Sequence, residues 1–245
     1  MLMGFRTLIW RLAGTCVAVV AVTLASAIYL LDIRRRHWVV AAVLFYGLLA
    51  CSIWATRQLW VVRTQLATVE AQVEVVRRAA LEQDAAVQTL KIAYDLSTQS
   101  ADLYAYIYRK NARRWGYPWE ALGAITYVES HFDLMARSGA GACGMMQLLE
   151  STAAEQCRKL DIPYKVGSTV WNPALNLYMG AGYFKDCYTN GVADPDARLC
   201  EGFKRYLGGS KYRNYPDQQA IAQYSSDVWR EYQKLKYIYR GVLQK

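Results

Sequence analysis

The chain has 245 residues, 54% of them hydrophobic, and 29 Lys and Arg against 20 Asp and Glu give a net charge of +9. Basic charge combined with 19 tyrosines occurs in nucleic-acid-binding proteins. Here the tyrosines are spread over predicted helices, and there is no RNA-binding sheet motif and no dense Lys/Arg stripe. We therefore expect no nucleic-acid partner. The apolar excess is concentrated near the N-terminus.

Two uncharged stretches near the N-terminus, residues 12–31 and 38–55, are each long enough to cross a bilayer as a helix. Arg34-Arg35-Arg36 fills the short loop between them, and tryptophans lie at the ends of the second stretch (Trp38, Trp54 and Trp60). We predict a transmembrane helical hairpin over residues 1–56. The positive-inside rule places the arginine loop in the cytoplasm and both ends of the hairpin outside.

Processing of this segment is the alternative. Ala25-Ser26-Ala27 resembles a signal-peptide cleavage site, and Leu48-Leu49-Ala50-Cys51 resembles a lipoprotein acylation box. Cleavage after Ala27 would leave a single span and would put everything after Ala55 in the cytoplasm. Both alternatives stay open at this point.

The next segment has the apolar spacing of a long helix. Steps of three and four residues without a proline or glycine predict a coiled-coil stalk over residues 57–97. The positions of this seam are Leu59, Val62, Leu66, Val69, Val73, Val76, Ala80, Gln83, Val87, Leu90 and Tyr94. The neighbouring g positions are Gln and Ala, so the ion pairs usual in a parallel homodimer are missing. The seam therefore indicates either a homo-oligomer or packing against another envelope protein.

Four cysteines fall in the C-terminal part: Cys143, Cys157, Cys187 and Cys200. An even number favours two disulfides in an oxidising compartment, and pairing of neighbours, 143 with 157 and 187 with 200, is the simplest of three connectivities. A zinc site is the alternative, but CxxC spacing is absent and the chain has only two histidines. We expect no metal and no organic cofactor.

Residues 98–245 are enough for one core, and their pattern predicts an all-α domain. Ala101–Arg114 should be helical, Gly116-Tyr117-Pro118 breaks the helix, and a second helix should run from Trp119 to about Ser130. Glu129 lies on the last turn of this largely apolar helix. Partial desolvation would raise its pKa and let it donate a proton near neutral pH. A solvated glutamate at a helix end is the alternative.

A glycine-rich stretch follows Glu129, and further motifs follow it along the chain. They are, in order, Glu129-Ser130-x-Phe132, Ala136-x-Ser138-x-x-Gly141-Ala142-x-Gly144-x-Met146-Gln147, Thr152-Ala153, Pro173-x-x-Asn176-x-x-x-Gly180-x-x-Tyr183, Tyr206-x-Gly208-Gly209 and Tyr224. Together they resemble the lytic transglycosylases of the soluble-lytic-transglycosylase (SLT) type, whose fold is related to goose-type lysozyme. The resemblance covers roughly residues 98–240 and implies a lysozyme-like catalytic domain.

The resemblance implies cleavage of the β-1,4 bond between N-acetylmuramic acid and N-acetylglucosamine in peptidoglycan, with formation of a 1,6-anhydro end. Glu129 would act as the only general acid and base. A hydrolase with two carboxylates would need a partner, and Asp133 is the nearby candidate. Because the family's chain leaves the helix there, we expect Asp133 on the surface. Hydrolysis by a lysozyme remains the narrower alternative.

Other roles are carried over by position. Ser130, Ser138, Met146 and Gln147 match residues that line the sugar subsites, and Tyr206 and Tyr224 match tyrosines close to the acid; ordinary packing is the alternative for each. One departure concerns Leu207, where the family usually has Asn. Loss of the Asn side-chain amide could weaken the orientation of an acetamido group of the substrate. The second hypothesis is therefore a weakly active membrane scaffold or wall-binding protein that acts through the coiled coil.

These inferences place the chain in the cytoplasmic (inner) membrane, with the catalytic domain on the periplasmic side. The expected partners are the membrane, crossed twice, and peptidoglycan glycan strands. The sequence leaves open whether cleavage is endo or exo, and which cellular process the protein serves.

Overall fold

The structure, a computed structural model, describes residues 33–188, 191–209 and 211–244. Within these ranges the secondary structure is helical apart from two isolated β-bridges, which confirms the expected all-α class. Seven α-helices are described: α1 (Ile33–Tyr94), α2 (Thr98–Trp115), α3 (Trp119–Ser130), α4 (Glu150–Leu160), α5 (Pro173–Tyr188), α6 (Pro195–Gly208) and α7 (Gln218–Leu243). Two 3-10 turns, Thr169–Trp171 and Tyr212–Asn214, lie in the connections.

The chain divides into two compact units, Met1–Glu74 and Val75–Lys245. In the first unit the described residues belong to α1, and large apolar side chains there are exposed, among them Trp38, Phe45, Trp54 and Trp60. One described helix, over Trp38–Tyr94, is long and apolar enough to cross a membrane. It contains the second predicted span. The first predicted span, residues 12–31, lies outside the described residues.

The predicted loop between the two spans needs correction. Arg34-Arg35-Arg36 belong to the first turns of α1, which begins at Ile33. Arginine has a high intrinsic helix propensity, and no proline or glycine stands between Arg34 and the apolar run that follows. The helical pattern therefore extends back through the charged residues.

The second unit is built around α3. Its residues Trp119–Thr126 are all buried, as expected for a helix whose apolar residues surround it on all sides. Helices α2 and α7 pack against α3, and α5 packs against α2, α4 and α6. Helix α6 also packs against α7. The C-terminal helix lies along α3, with Tyr224 near Glu129 and Tyr239 near Trp119.

The last turns of α1 belong to this second unit. Ala86, Val87 and Leu90 lie in its hydrophobic core. The buried guanidinium of Arg109 donates to the Glu82 carboxylate at 2.8 Å and thereby ties α2 to α1. Seam positions at the end of the predicted stalk are thus used inside the chain, whereas those from Leu59 to Val76 are exposed.

The four C-terminal cysteines are free thiols in the structure, so the predicted disulfides between Cys143 and Cys157 and between Cys187 and Cys200 are wrong. The Cys143 thiol donates to the Gly141 carbonyl at 3.3 Å. The Cys157 sulfur lies 3.2 Å from the Met179 sulfur in the core. These thiols act as small apolar side chains whose positions are set by helix packing.

Candidate active site

The site forms where α3 ends and meets the C-terminal helices. Helix α3 runs from Trp119 to Ser130, the same bounds that the sequence predicted, and Glu129 is its penultimate residue. The glutamate side chain is partly buried. It projects from a helix of largely apolar composition, so few polar groups of this helix are available to solvate the carboxylate.

One hydrogen bond fixes the Glu129 carboxylate. The buried Tyr224 hydroxyl, on the first part of α7, donates to Glu129 Oε1 at 2.6 Å. Burial raises the pKa of Glu129 from its ordinary 4.5 to about 7, and the Tyr224 hydrogen bond opposes this only partly. Near neutral pH a substantial share of Glu129 is therefore protonated and able to donate.

The backbone turns sharply after Glu129. His131 (φ 52°) and Phe132 (φ 65°) both adopt the left-handed conformation, which is unfavourable for side chains of this size. Gln147, on the loop that faces this turn, is also left-handed with φ 47°. Strained non-glycine residues cluster at functional sites because the surrounding structure holds them there. Three of the five left-handed non-glycine residues described lie in this region.

The segment that follows, residues 136–148, is termed here the glycine loop. Its backbone is internally hydrogen-bonded: Gly144 N donates to Ala136 O at 2.9 Å, and Cys143 and Leu148 exchange bonds of 2.9 and 3.0 Å. Ser130 Oγ donates to Met145 O at 2.7 Å and so joins the loop to the end of α3. The loop is therefore an ordered wall beside Glu129.

Asn176, buried on α5, holds the glycine loop from behind. Its amide nitrogen donates to Cys143 O at 3.0 Å and to Val170 O at 2.9 Å, while its amide oxygen accepts from Met146 N at 2.8 Å. A Cβ on Gly144 would lie 2.5 Å from the Asn176 amide nitrogen, so glycine is required for this approach. The sequence motif contained Asn176, but its role as a clamp was not predicted.

Tyr206 connects the loop to α6. Its buried hydroxyl donates to Met146 O at 2.9 Å, and its ring lies 5.0 Å from that of Tyr183. Burial and the nearby Glu129 charge raise the pKa of Tyr206 well above its ordinary value, so this residue stays neutral. Tyr224 has the same two causes for a raised pKa. Both tyrosines act here as neutral hydroxyl donors.

Residues 107–198 match the family model described as the transglycosylase SLT domain. This segment of the chain is therefore similar to an SLT domain. The match includes Glu129, the glycine loop and Asn176, and it ends before Tyr206 and Tyr224. The two tyrosines that complete the surroundings of Glu129 come from the part of the chain that follows the match.

Curated relatives carry related sequences. The membrane-bound lytic murein transglycosylase F of Desulfosudis oleivorans is 32% identical over 130 residues, covering 52% of this chain and 26% of that protein. The membrane-bound lytic murein transglycosylase C of Yersinia enterocolitica is 28% identical over 129 residues, covering 50% of this chain and 36% of that protein. The match thus spans about a quarter to a third of each relative's length. A solved lytic transglycosylase Slt from Pseudomonas aeruginosa is similar at a TM-score of 0.47 and 23% identity, covering 60% of this chain and 26% of that one.

The predicted site residues occupy distinct places in and around the segment that matches the SLT domain. Glu129 and Tyr224 are in direct contact. Ser130, Met146 and Tyr206 are buried. The hydroxyl of Ser130 bonds to Met145 O and that of Tyr206 to Met146 O, which joins the loop to α3 and α6. Ser138 and Gln147 lie on the partly buried side of the glycine loop and hydrogen-bond within it.

Two further residues bear on the chemistry. Asp133 is exposed, as expected, and its carboxylate accepts from Met135 N at 2.9 Å. Leu207, which follows Tyr206, is 38% exposed. An apolar side chain therefore stands at the surface at the position where the resemblance predicts an amide.

Proposed function

We propose that the chain is a peptidoglycan lytic transglycosylase that cleaves the bond between N-acetylmuramic acid and N-acetylglucosamine. The observation that carries the proposal is the Glu129 carboxylate, partly buried, bonded by Tyr224 and held with a pKa of about 7 at the end of α3. The matched SLT domain and the names of its relatives support the same activity.

The proposed reaction needs a single acid that changes roles. Protonated Glu129 donates its proton to the glycosidic oxygen while the bond from that oxygen to C1 of the muramic acid breaks. The Glu129 carboxylate then takes the proton from the C6 hydroxyl, and the C6 oxygen bonds to C1 to close the 1,6-anhydro ring. No water is consumed, and Glu129 ends protonated again. A pKa near the working pH suits both steps.

A second carboxylate is not part of this proposal. The substrate's own acetamido group can stabilise the positive charge that develops at C1. Asp133 is exposed and turned to the backbone of Met135, which supports its exclusion from the reaction. An inverting hydrolase would instead need a second carboxylate placed to activate a water molecule.

The remaining site residues are proposed to line the sugar groove. Ser138 and Gln147 would contact the sugar directly from the partly buried face of the glycine loop. Ser130 and Met146 would act by fixing the loop beside Glu129. Ser130 Oγ donates to Met145 O within the loop, and Met146 N, in the loop, donates to Asn176 Oδ1. Tyr206 and Tyr224 would hold the loop and the acid.

We further propose that residues 1–56 anchor the protein in the cytoplasmic membrane, with the SLT domain in the periplasm. The exposed apolar side chains of α1 from Trp38 onward and its length support a span. Residues 57–97 would form a stalk ahead of the catalytic domain at 98–245, with its last turns packed into that domain. The exposed seam from Leu59 to Val76 is the part free to associate with a second copy or another envelope protein.

The test is mass spectrometry of the fragments that the full chain, in detergent, releases from purified peptidoglycan. We expect muropeptides one water lighter than hydrolytic products, and none from the Glu129→Gln variant. Asp133→Asn is the matched control and should retain activity. Hydrated ends would identify a lysozyme instead.

The scaffold hypothesis is distinguished in the same experiment. A folded wild-type chain that sediments with peptidoglycan and releases nothing would refute the proposed activity and favour a wall-binding protein. Leu207 is the residue that favours this second hypothesis, and Leu207→Asn would then be examined for gained activity.

A further inference from the structure

A pocket with a volume of about 390 Å³ lies at the other end of α3, away from Glu129. Glu120 in its lining is nine residues before Glu129, which places the two carboxylates roughly 14 Å apart along the helix axis. Aromatic and basic side chains complete the pocket, among them Tyr188, Tyr232, Lys236, Tyr239 and Arg240. The proposed reaction at Glu129 uses none of them.

Glu120 is the unusual member of this lining. It is only 7% exposed, and its carboxylate accepts a hydrogen bond from its own backbone N–H. Among the described residues no hydrogen bond or ion pair joins it to another side chain. One backbone hydrogen bond offsets only part of the cost of burying a carboxylate that no cation pairs with. The neighbouring cleft, which shares Glu120, also contains the buried indole nitrogen of Trp119 without a hydrogen-bond partner among the described residues.

Two cations stand on the last turns of α7. Lys236 and Arg240 are four residues apart, so they lie on one face of the helix. Neither forms an ion pair with a described residue, and the Lys236 ammonium lies 5.3 Å from the centre of the Tyr232 ring. Their charges lower the pKa of Glu120, but burial outweighs them and raises it overall. The cations are thus close enough to interact with Glu120 without being bonded to it.

We propose that this pocket binds an α-amino-acid head group, with its ammonium on Glu120 and its carboxylate on Lys236 and Arg240. A simple cation would be repelled by the two basic residues, and a simple anion by Glu120 and by Asp196, which also lines the pocket. A zwitterion carries both charges on one carbon and meets both sets of partners. The volume is sufficient for a group of this size.

Two sources offer this chemistry: a free amino acid, and the diamino acid of a peptidoglycan stem peptide, whose side chain ends in such a head group. Binding requires no reaction at Glu129, so the inference stands independently of the proposed activity. A ligand at this pocket would bridge the start of α3 and the end of α7.

Isothermal titration calorimetry on the full chain in detergent tests the proposal with three matched ligands. The first is meso-diaminopimelate; cadaverine has its amines without the carboxylates, and pimelate has its carboxylates without the amines. We expect meso-diaminopimelate to bind at least 10-fold more tightly than either analogue. Equal binding of cadaverine or pimelate, or no binding of meso-diaminopimelate at millimolar concentration, would overturn the proposal.

Variants locate the site. Glu120→Gln and Lys236→Gln should each weaken binding at least 10-fold. Glu155→Gln and Lys110→Gln are the controls and should leave it unchanged; the Lys110 ammonium lies over the Tyr106 ring much as that of Lys236 lies over Tyr232. Unchanged binding by folded Glu120→Gln and Lys236→Gln would overturn the assignment. If Glu120→Gln does not fold, Lys236→Gln on the partly exposed helix face decides.

A last comparison identifies the source of the ligand. A muramyl tripeptide that ends in the diamino acid is titrated beside free meso-diaminopimelate. Tighter binding of the tripeptide would support the proposal with the cell wall as the source, and tighter binding of the free compound would support it with a soluble amino acid.

Discussion

Replacing Glu129 by Gln should stabilise the fold at alkaline pH. Burial raises the pKa of Glu129 from 4.5 to about 7, so between these values the folded protein holds a proton that the unfolded chain has lost. Stability must therefore fall as the pH rises through this window and level off above it. A glutamine side chain at this position would carry no charge in either state, so this pH dependence would vanish.

The size of the effect follows from the two pKa values. A tenfold change in a proton equilibrium corresponds to about 1.4 kcal/mol, so the full cost of ionising Glu129 in the fold is roughly 3 kcal/mol. About 2.5 kcal/mol of it should develop between pH 5 and pH 8. For a domain of this size that corresponds to a difference in melting temperature of about 5–10 °C.

Thermal unfolding followed by tryptophan fluorescence, for the full chain in detergent at pH 5 and pH 8, measures this contribution. The quantity compared is the change in melting temperature between the two pH values, wild type against Glu129→Gln. Glu155→Gln, an exposed glutamate on α4, is the control and should follow the wild type. If wild type and Glu129→Gln show the same pH dependence, Glu129 is ionised in the fold at neutral pH and the reasoning fails.

Three further changes test the surroundings of Glu129. Tyr224→Phe removes a hydrogen bond that lowers the pKa of Glu129, so the pKa of Glu129 should rise. In a pH–rate profile, the alkaline pH at which half of the transglycosylase activity is lost should therefore move upward. Asn176→Ala removes the Asn176 partner of Val170 O and of Met146 N, both in the buried backbone, and one of the two hydrogen bonds to Cys143 O, which keeps its bond from Leu148 N. We expect a loss of about 3 kcal/mol in chemical denaturation, and a loss under about 1 kcal/mol would mean that Asn176 is no clamp. In Gly180→Ala the added methyl group would clash with the Met146 side chain, and we expect about 1–3 kcal/mol of destabilisation in chemical denaturation. Gly241→Ala is the control, because nothing lies within 4 Å of its added methyl group.

The sequence predicted the local parts of this site better than the distant ones. Helix α3 and the position of Glu129 on its last turn follow from a break at Gly116-Tyr117-Pro118 and an apolar run, which are local signals. Tyr224 is 95 residues from Glu129, and no helical periodicity indicates that contact. Its expected place near the acid came from the resemblance to a family.

Asn176 and the cysteines show two other limits. A buried amide that pairs with three backbone groups has no signature of its own in a sequence, because its partners are set by the fold. The disulfide prediction relied on an even number of cysteines, which carries no information on distance. Cys157 instead faces Met179 within the core, where a thiol packs as a small apolar group.

The end of α1 shows why an apolar seam does not identify its own partner. A coiled coil and an intramolecular helix face both require apolar residues at steps of three and four, so Leu59 and Leu90 are equivalent in the pattern. The structure separates them: Leu90 is fully buried in the second unit, and Leu59 is 60% exposed. Of these two leucines, Leu90 is covered by other residues of the same chain, whereas Leu59 stays accessible to solvent. The large apolar seam positions that remain exposed run from Leu59 to Val76, and an association of copies through the seam would use these. They extend over about three heptads, the lower end of the length at which an apolar repeat indicates a coiled coil.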